Sequence, residues 1–326
     1  MSKSTETGLA ELQDLEPSLE EFRASVVEGL SGPEKTLPCK FLYDRHGSRL
    51  FDDICNLPEY YPTRTERQIL ERYAHDIADI VGSKARLVEF GSGAGIKIRL
   101  LLKALDRPAA YLPVDISREH LVAASADLAK MFSDLCIAPV CADYTAPFAL
   151  PELSGVTWDA TAGFFPGSTI GNFTRAEAVG FLTGTRALLG SGAVMIVGVD
   201  LVKDVDVLRA AYDDGAGVTA NFNLNLLRRI NRELGGTFEL GRFHHEARWN
   251  AKLERIEMHL VSLCEQEVIV GTKRFGFSEG EAIHTENSHK YSVEGFRALA
   301  RDAGWEPLEV WMDERKLFSV HALRTS

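Results

Sequence analysis

The spacing of hydrophobic positions divides the chain into regions of different structure. Over residues 18–30, 47–55 and 63–81, apolar side chains recur every three or four positions, as they do along one face of an amphipathic helix. Four prolines interrupt residues 18–81. This first region is therefore predicted to contain several separate helices.

A second region alternates short apolar runs with amphipathic stretches. The apolar runs lie at 85–90, 109–115, 136–143, 158–165 and 192–200. The amphipathic stretches between them lie at 96–105, 117–133 and 174–190. Strands that are apolar almost throughout and alternate with helices are typical of a parallel sheet buried on both faces.

The pattern changes again from residue 201 to about residue 286. An amphipathic stretch is followed by runs of alternating polarity, which predict antiparallel strands joined by tight turns. A helix at 293–303 and strands at about 307–312 and 317–323 are typical of a hairpin that closes the earlier sheet.

The predicted fold class is α/β. We expect a Rossmann-like, doubly wound sheet over 64–200 plus 288–326. We expect a second α+β lobe that combines the N-terminal helices, 1–63, with the inserted segment, 201–287.

Composition narrows the function classes. The 326-residue chain has a formal net charge of −11, which argues against nucleic acid or anionic lipid as a partner. No apolar run approaches the roughly 20 residues of a membrane helix, and the N-terminus lacks the pattern of a secretory signal. The five cysteines include no C-x-x-C pair. We therefore expect a cytoplasmic monomer with no membrane partner.

The sequence gives no reason to assign a metal. The cysteines are scattered along the chain. His244 and His245 are candidate metal ligands, but adjacent residues on a strand point to opposite faces and cannot easily bind one ion together.

Three glycines in five residues follow the first strand, in "VEFGSGAGIK". A strand that runs through glycines into a helix presents free backbone N–H groups at the edge where doubly wound sheets bind ligands. The dinucleotide pattern G-x-G-x-x-G is not met, because Gly95 comes one position early. Glu89 precedes the first glycine, Gly91, by two residues, and it suits a ligand that carries an ammonium and a sulfonium.

Acidic residues also end the next two strands. Asp115 can accept hydrogen bonds from both hydroxyls of a ribose, and Asp143, followed by Tyr144, is placed to meet an adenine amino group. The segment E-x-G-x-G-x-G resembles the first motif of class I S-adenosylmethionine-dependent methyltransferases. We therefore predict a site for S-adenosylmethionine that includes Ser92 and Gly93 of the glycine loop. An NAD-dependent oxidoreductase is the alternative from a different enzyme class.

Five segments together resemble the histidine-specific methyltransferases of the ergothioneine pathway. They are "LYDRHGSRLFDDICNLPEYYPTRTE" (42–66), "EFGSGAGIKIRLLL" (89–102), "FPGSTIGNF" (165–173), "DLVKDVDVLRAAYDD" (200–214) and "IHTENSHKYS" (283–292). The resemblance spans about residues 35–325 and implies trimethylation of the α-amine of L-histidine to hercynine. A relative that methylates another aromatic amino acid, and a homologue that binds without turnover, remain alternatives.

The resemblance also implies which side chains hold the substrate. It assigns the histidine carboxylate to the Asn172 amide and the Tyr212 hydroxyl. It assigns the two nitrogens of the imidazole to Glu286 and Ser288, with Met258 packed against the ring.

The expected reaction is a direct displacement, in which the amine approaches the sulfonium methyl in line at about 3 Å. By resemblance, Tyr60 orients the amine, Tyr43 assists it and Tyr61 is the less favoured choice. Lys97 matches a lysine that contacts the cofactor in this family, and Gly167 is expected to line the floor between cofactor and substrate. No strong general base is proposed.

Overall fold

The computed structural model describes residues 9–325, which form two compact units. The first unit contains residues 9–16, Pro62–Val202 and the segment from Lys290 onward. The second contains Pro17–Tyr61 and Lys203–His289.

The helices lie where the three- and four-residue periodicity predicts them. They are α1 (Leu19–Ser31), α2 (Arg45–Cys55), α3 (Tyr61–Val81), α4 (Ile96–Ala104), α5 (Arg118–Met131), α6 (Arg175–Leu189), α7 (Val205–Tyr212), α8 (Val218–Leu234) and α9 (Val293–Asp302). Capping boxes begin two of them: Ser18 with Glu21 at α1, and Thr174 with Glu177 at α6. Within residues 9–325, no helix is both long and apolar enough to cross a membrane.

The strands fall into three sheets. They are β1 (Gln13–Leu15), β2 (Lys35–Thr36), β3 (Ala85–Phe90), β4 (Ala110–Asp115), β5 (Cys136–Ile137), β6 (Val140–Ala142), β7 (Ala160–Phe165), β8 (Val194–Asp200), β9 (Phe243–Asn250), β10 (Arg255–Ser262), β11 (Gln266–Val270), β12 (Lys273–Phe277), β13 (Ala282–His289), β14 (Trp305–Met312) and β15 (Phe318–Thr325).

The first unit is built on a nine-stranded sheet. Its order is β1-β6-β4-β3-β7-β8-β15-β14, with β5 also paired to β4. All pairs are parallel except the last two, in which β15 runs antiparallel to both β8 and β14. Val88 and Phe90 enter one hydrophobic core while Leu87 enters the other, on the opposite face. Two buried faces explain why these strands read as continuous apolar runs, and the predicted α/β fold class is confirmed.

The start of the described chain departs from the predicted domain assignment. That prediction placed all of residues 1–63 in the second lobe, whereas residues 9–16 belong to the first unit. Leu9 bridges Ile137, and β1 pairs with β6 in parallel. Residues 1–8 lie outside the described residues. A three-residue strand is too short to be recognised by its periodicity.

The second unit joins the N-terminal helices to the inserted segment. Its four-stranded sheet has the order β2-β13-β10-β9, and β11 and β12 form a separate hairpin. Asp44 ties the two parts of the chain together, because its carboxylate caps α2 at the Gly47 N–H (2.7 Å) and also accepts hydrogen bonds from Asn225 (2.8 Å) and Arg232 (2.6 Å) of α8. Burial opposes ionisation, but these hydrogen bonds lower the pKa of Asp44 below its usual range.

Candidate functional site

The glycine loop between β3 and α4 is held in a conformation that favours glycine. Gly91, Gly93 and Gly95 have φ angles of +73°, +49° and +66°. Apart from Gly93 itself and its two chain neighbours, no described residue has an atom within 4 Å of the position that a Cβ of Gly93 would occupy. The backbone at Gly93 is therefore open to a ligand.

Asp115 fixes this loop from the end of the neighbouring strand. One carboxylate oxygen accepts from the Gly93 N–H (3.0 Å) and the other accepts from the Ser117 N–H (2.9 Å). Burial raises the pKa of Asp115, and these backbone donors counteract it. Since a carboxylate oxygen has two lone pairs, both oxygens can accept further hydrogen bonds.

Glu89 is a buried acid whose charge is poorly compensated. It is only 1% exposed and accepts a hydrogen bond from the Tyr111 hydroxyl. Burial raises its pKa to about 8, against the opposing effects of Tyr111 and Lys97. A cation bound beside Glu89 would favour the ionised form.

The remaining predicted cofactor residues differ in their surroundings. Asp143 accepts from the Thr145 N–H (2.9 Å) and hydroxyl (2.5 Å), so it organises a local turn. The ring of Tyr144 packs against Phe165, with ring centroids 5.8 Å apart, and its hydroxyl oxygen is 3.6 Å from the Cβ position at Gly91. Ser92 is buried, and its hydroxyl has no hydrogen-bond partner among the described residues. That hydroxyl is available to a ligand.

Glu66 of α3 is a site residue that the sequence analysis did not single out. Its fully buried carboxylate accepts twice from the Gly167 N–H (3.0 and 2.9 Å) and pairs with the Lys97 ammonium at 2.5 Å. A Cβ at Gly198 would lie 2.0 Å from the same carboxylate. Glu66 thus holds two of the predicted residues, and the only hint in the sequence was its place in the family segment "YYPTRTE".

Asn172 belongs to the same unit as Gly167. It ends a short 3-10 helix, Thr169–Asn172, and is partly exposed. The residue before that helix, Ser168, has a φ of +58°, and its hydroxyl accepts from the Asp200 N–H at 2.9 Å. The loop after β7 is therefore fixed at both Gly167 and Ser168.

In the second unit, aromatic rings surround Tyr60. The ring of Tyr60 lies 6.1 Å from that of Tyr212 and 6.2 Å from that of Phe51, which in turn lies 5.6 Å from Tyr43. The pKa of Tyr60 is raised well above 10, mainly by burial. Smaller contributions come from nearby groups that become negative when they ionise, namely Tyr212, Cys55, Tyr43 and Glu286. Tyr60 therefore keeps its proton at neutral pH.

Tyr61, the less favoured choice, has a different environment from Tyr60. Its hydroxyl accepts a hydrogen bond from the Lys203 ammonium at 2.7 Å. The same ammonium lies over the Tyr61 ring, 4.6 Å from the ring centroid, which is within the range of a cation–π contact.

The predicted substrate residues of β13 share one face of the second sheet. Glu286 pairs across the sheet with Met258, and Ser288 pairs with Ile256. The Ser288 and Tyr212 hydroxyls are 2.6 Å apart. Asn287, which lies between Glu286 and Ser288 in the chain, pairs with Glu257 and therefore points to the opposite face.

His245 and Asn223 support Tyr212 and were also missed. His245 Nε2 lies 2.7 Å from the Tyr212 carbonyl oxygen, and its Nδ1 lies 3.0 Å from the Asn223 side-chain nitrogen. A carbonyl only accepts, so the ring donates from Nε2 and accepts at Nδ1. Burial lowers the pKa of His245, in keeping with a neutral ring. His244 is exposed, as the alternation of a strand requires.

Comparison with known proteins gives consistent similarities. The model of a family described as histidine-specific methyltransferase, SAM-dependent, matches residues 22–325. The histidine N-alpha-methyltransferase of Mycolicibacterium smegmatis is 39% identical over 311 residues, which cover 94% of this chain and 95% of that protein. The enzyme of the same name from Mycobacterium tuberculosis is 39% identical over 305 residues, 92% and 93% of the two chains. Ergothioneine biosynthesis protein 1 of Neurospora crassa is 31% identical over 307 residues, 90% of this chain and 34% of that protein.

The buried position of Glu66 leads to a stability prediction. Glu66→Gln removes the charge that compensates Lys97, and breaking one partner of a buried pair costs about 3–5 kcal/mol. The matched control is Glu71→Gln on the same helix, because Glu71 pairs with Arg67 while 48% exposed, and such surface pairs contribute about 0–1 kcal/mol. Urea unfolding measures both variants. Equal losses of stability would contradict the structural role of Glu66.

Proposed function

The chain belongs to the S-adenosylmethionine-dependent histidine-specific methyltransferases, and we propose that it trimethylates the α-amine of L-histidine to hercynine, a step of ergothioneine biosynthesis. The observation that carries this proposal is the face of the second sheet that combines Glu286, Ser288 and Met258 with the Tyr212 hydroxyl. That face offers a carboxylate and a hydroxyl for the two ring nitrogens beside an apolar side chain for the ring.

The glycine loop suits the cofactor, S-adenosylmethionine, which supplies an activated methyl group when bound. The open backbone at Gly93 supports binding there, as does the Ser92 hydroxyl, which has no partner in the described part of the chain. In this proposal Asp115 accepts from the ribose hydroxyls, and Glu89 compensates the positive charge of the ligand. Asp143 and Tyr144 lie beside the adenine in this proposal, and Lys97 and Gly91 are the remaining residues proposed to bind the cofactor.

The remaining predicted residues are proposed to bind different parts of the histidine substrate. Glu286 accepts from one ring N–H, and Ser288 bonds the other nitrogen while its position is held by Tyr212. The Tyr212 hydroxyl and the Asn172 amide are the proposed donors to the substrate carboxylate. Met258 is only 2% exposed and supplies apolar contact to the ring.

The proposed chemistry is a single in-line displacement. With the cofactor bound, the lone pair of the neutral amine would form the new C–N bond while the C–S bond broke, and the sulfur would leave as a neutral thioether. Tyr60 orients the amine as a protonated hydroxyl, since its raised pKa leaves almost no tyrosinate to act as a base, and Tyr43 assists. The proton lost from the amine before each later transfer passes to water.

We also propose that the enzyme acts as a cytoplasmic monomer on a small-molecule substrate. The net charge of −11 supports the absence of a nucleic-acid partner. The five cysteines are scattered along the sequence without a C-x-x-C pair, which suits a reducing compartment.

The function is tested by offering each of the twenty amino acids with isotopically labelled cofactor and weighing the products. We expect histidine to acquire three methyl groups on its α-nitrogen. Preferential methylation of another aromatic amino acid would replace the proposed substrate. Tight binding of S-adenosylhomocysteine without any methylated product would indicate a homologue that does not turn over, and binding of NAD instead would favour an oxidoreductase.

Glu286→Ala tests the recognition of the ring. Loss of a hydrogen bond to a charged group costs about 1.5–3 kcal/mol, so kcat/KM for histidine should fall by about 10- to 100-fold. Binding of S-adenosylhomocysteine, followed by calorimetry, should change little. Glu279→Ala is the matched control, since Glu279 is an exposed acid in the turn before the same strand. A comparable loss of cofactor binding in Glu286→Ala would contradict the assigned role.

The raised pKa of Glu89 predicts that cofactor binding releases protons. Below about pH 8 Glu89 is mainly protonated in the free protein, and a bound cation favours its ionised form. Affinity should therefore rise as the pH approaches 8, with up to about one proton released near neutral pH. Calorimetry in buffers of different ionisation enthalpy measures this release. Glu89→Gln should abolish it, and unchanged release in that variant would assign the proton to another group.

A further inference from the structure

Three side chains of types that commonly bind metal ions lie together on the second sheet. Their face of the sheet is opposite to the one that carries the residues proposed to bind histidine. Glu257 and His259 lie on β10, and His284 lies directly across from His259 on β13. The two imidazole rings stack, with centroids 4.9 Å apart and planes at 21°. One ligand atom from each of the three residues lies within 4.8 Å of the others.

The hydrogen bonds around this cluster orient the side chains. One oxygen of Glu257 is held by Arg255 (2.6 Å) and Asn250 (2.9 Å), while the other lies 3.2 Å from His259 Nε2. His284 Nε2 lies 3.1 Å from the Glu286 carbonyl oxygen, so it is the donor and Nδ1 carries the lone pair. Histidine ligands of metals commonly donate their second nitrogen to a carbonyl in this way.

Two buried polar atoms in the cluster have no hydrogen-bond partner among residues 9–325. They are the Nδ1 atom of His259, a residue that is 8% exposed, and the side-chain oxygen of Asn287. Since Asn287 pairs with Glu257, its side chain is on this same face. Because His259 Nδ1 has no partner among the described residues, it can carry the ring proton while Nε2 binds a cation in place of its contact with Glu257.

We propose that Glu257, His259 and His284 form a binding site for one divalent transition-metal cation, with Zn²⁺ the best match. Two imidazoles and a carboxylate are a known ligand set for Zn²⁺, with a fourth position left open. The cation would link β10 to β13, the strands that carry Met258, Glu286 and Ser288 on their other face. The site is structural, and no step of methyl transfer passes through it.

The test uses the full chain, stripped of metal by a chelator and free of any histidine tag or added histidine. Titration with zinc sulfate, followed by calorimetry, should show one saturable equivalent per chain, and bound zinc should raise the melting temperature. Cobalt(II) in place of zinc should give the visible absorption of a bound ion. His259→Ala and His284→Ala should each weaken zinc binding at least tenfold.

The matched control is His75→Ala, because His75 is exposed on α3 in the other unit. It should bind zinc like the wild type. If an alanine variant fails to fold, Glu257→Gln keeps the size of the side chain and should still weaken binding. The proposal is overturned if the wild type shows no saturable zinc binding, or if binding survives in folded His259→Ala, His284→Ala and Glu257→Gln.

Discussion

In the first unit, the arrangement around the glycine loop depends on how the charge of one buried carboxylate, that of Glu66, is compensated. A carboxylate removed from water must find donors or a cation, and Glu66 finds the Gly167 N–H and the Lys97 ammonium. These partners belong to the loop after β7 and to the first turn of α4. Gly198 of β8 leaves the space that the carboxylate occupies. One side chain of α3 thus fixes parts of three other elements around the glycine loop.

In the second unit, several buried polar side chains also form hydrogen bonds, but their partners are neutral groups. Asn223 of α8 bonds both His245 and the His259 carbonyl oxygen (3.1 Å), and His245 bonds the Tyr212 carbonyl oxygen. The Tyr212 hydroxyl then meets Ser288. These hydrogen bonds hold the end of α7 against the sheet. Hydroxyls that are already held in place lose less side-chain entropy when a ligand binds.

Periodicity predicted most of the elements but few of the polar contacts between them. The apolar runs located β3, β4, β7 and β8 because burial on both faces leaves a strong signal. The three residues of β1 leave none. Glu66 was missed because the sequence does not reveal which polar residue of a long helix points inward, and His245 because its partner carbonyl lies 33 residues away. The glycine loop and the strand-end acids could be predicted as a cofactor site because their chemistry is local to the chain.

The pairing of β10 with β13 places two kinds of chemistry on opposite faces of one sheet. Successive residues of β13, Glu286, Asn287 and Ser288, alternate between those faces. The register of this pairing shifts between two neighbouring residues of β10: Met258 pairs with Glu286, and His259 pairs with His284. A ligand on either face that favours this same register stabilises it for the other face. By linkage, such coupling must be equal in both directions, so histidine would strengthen cation binding by the factor by which the cation strengthens histidine binding.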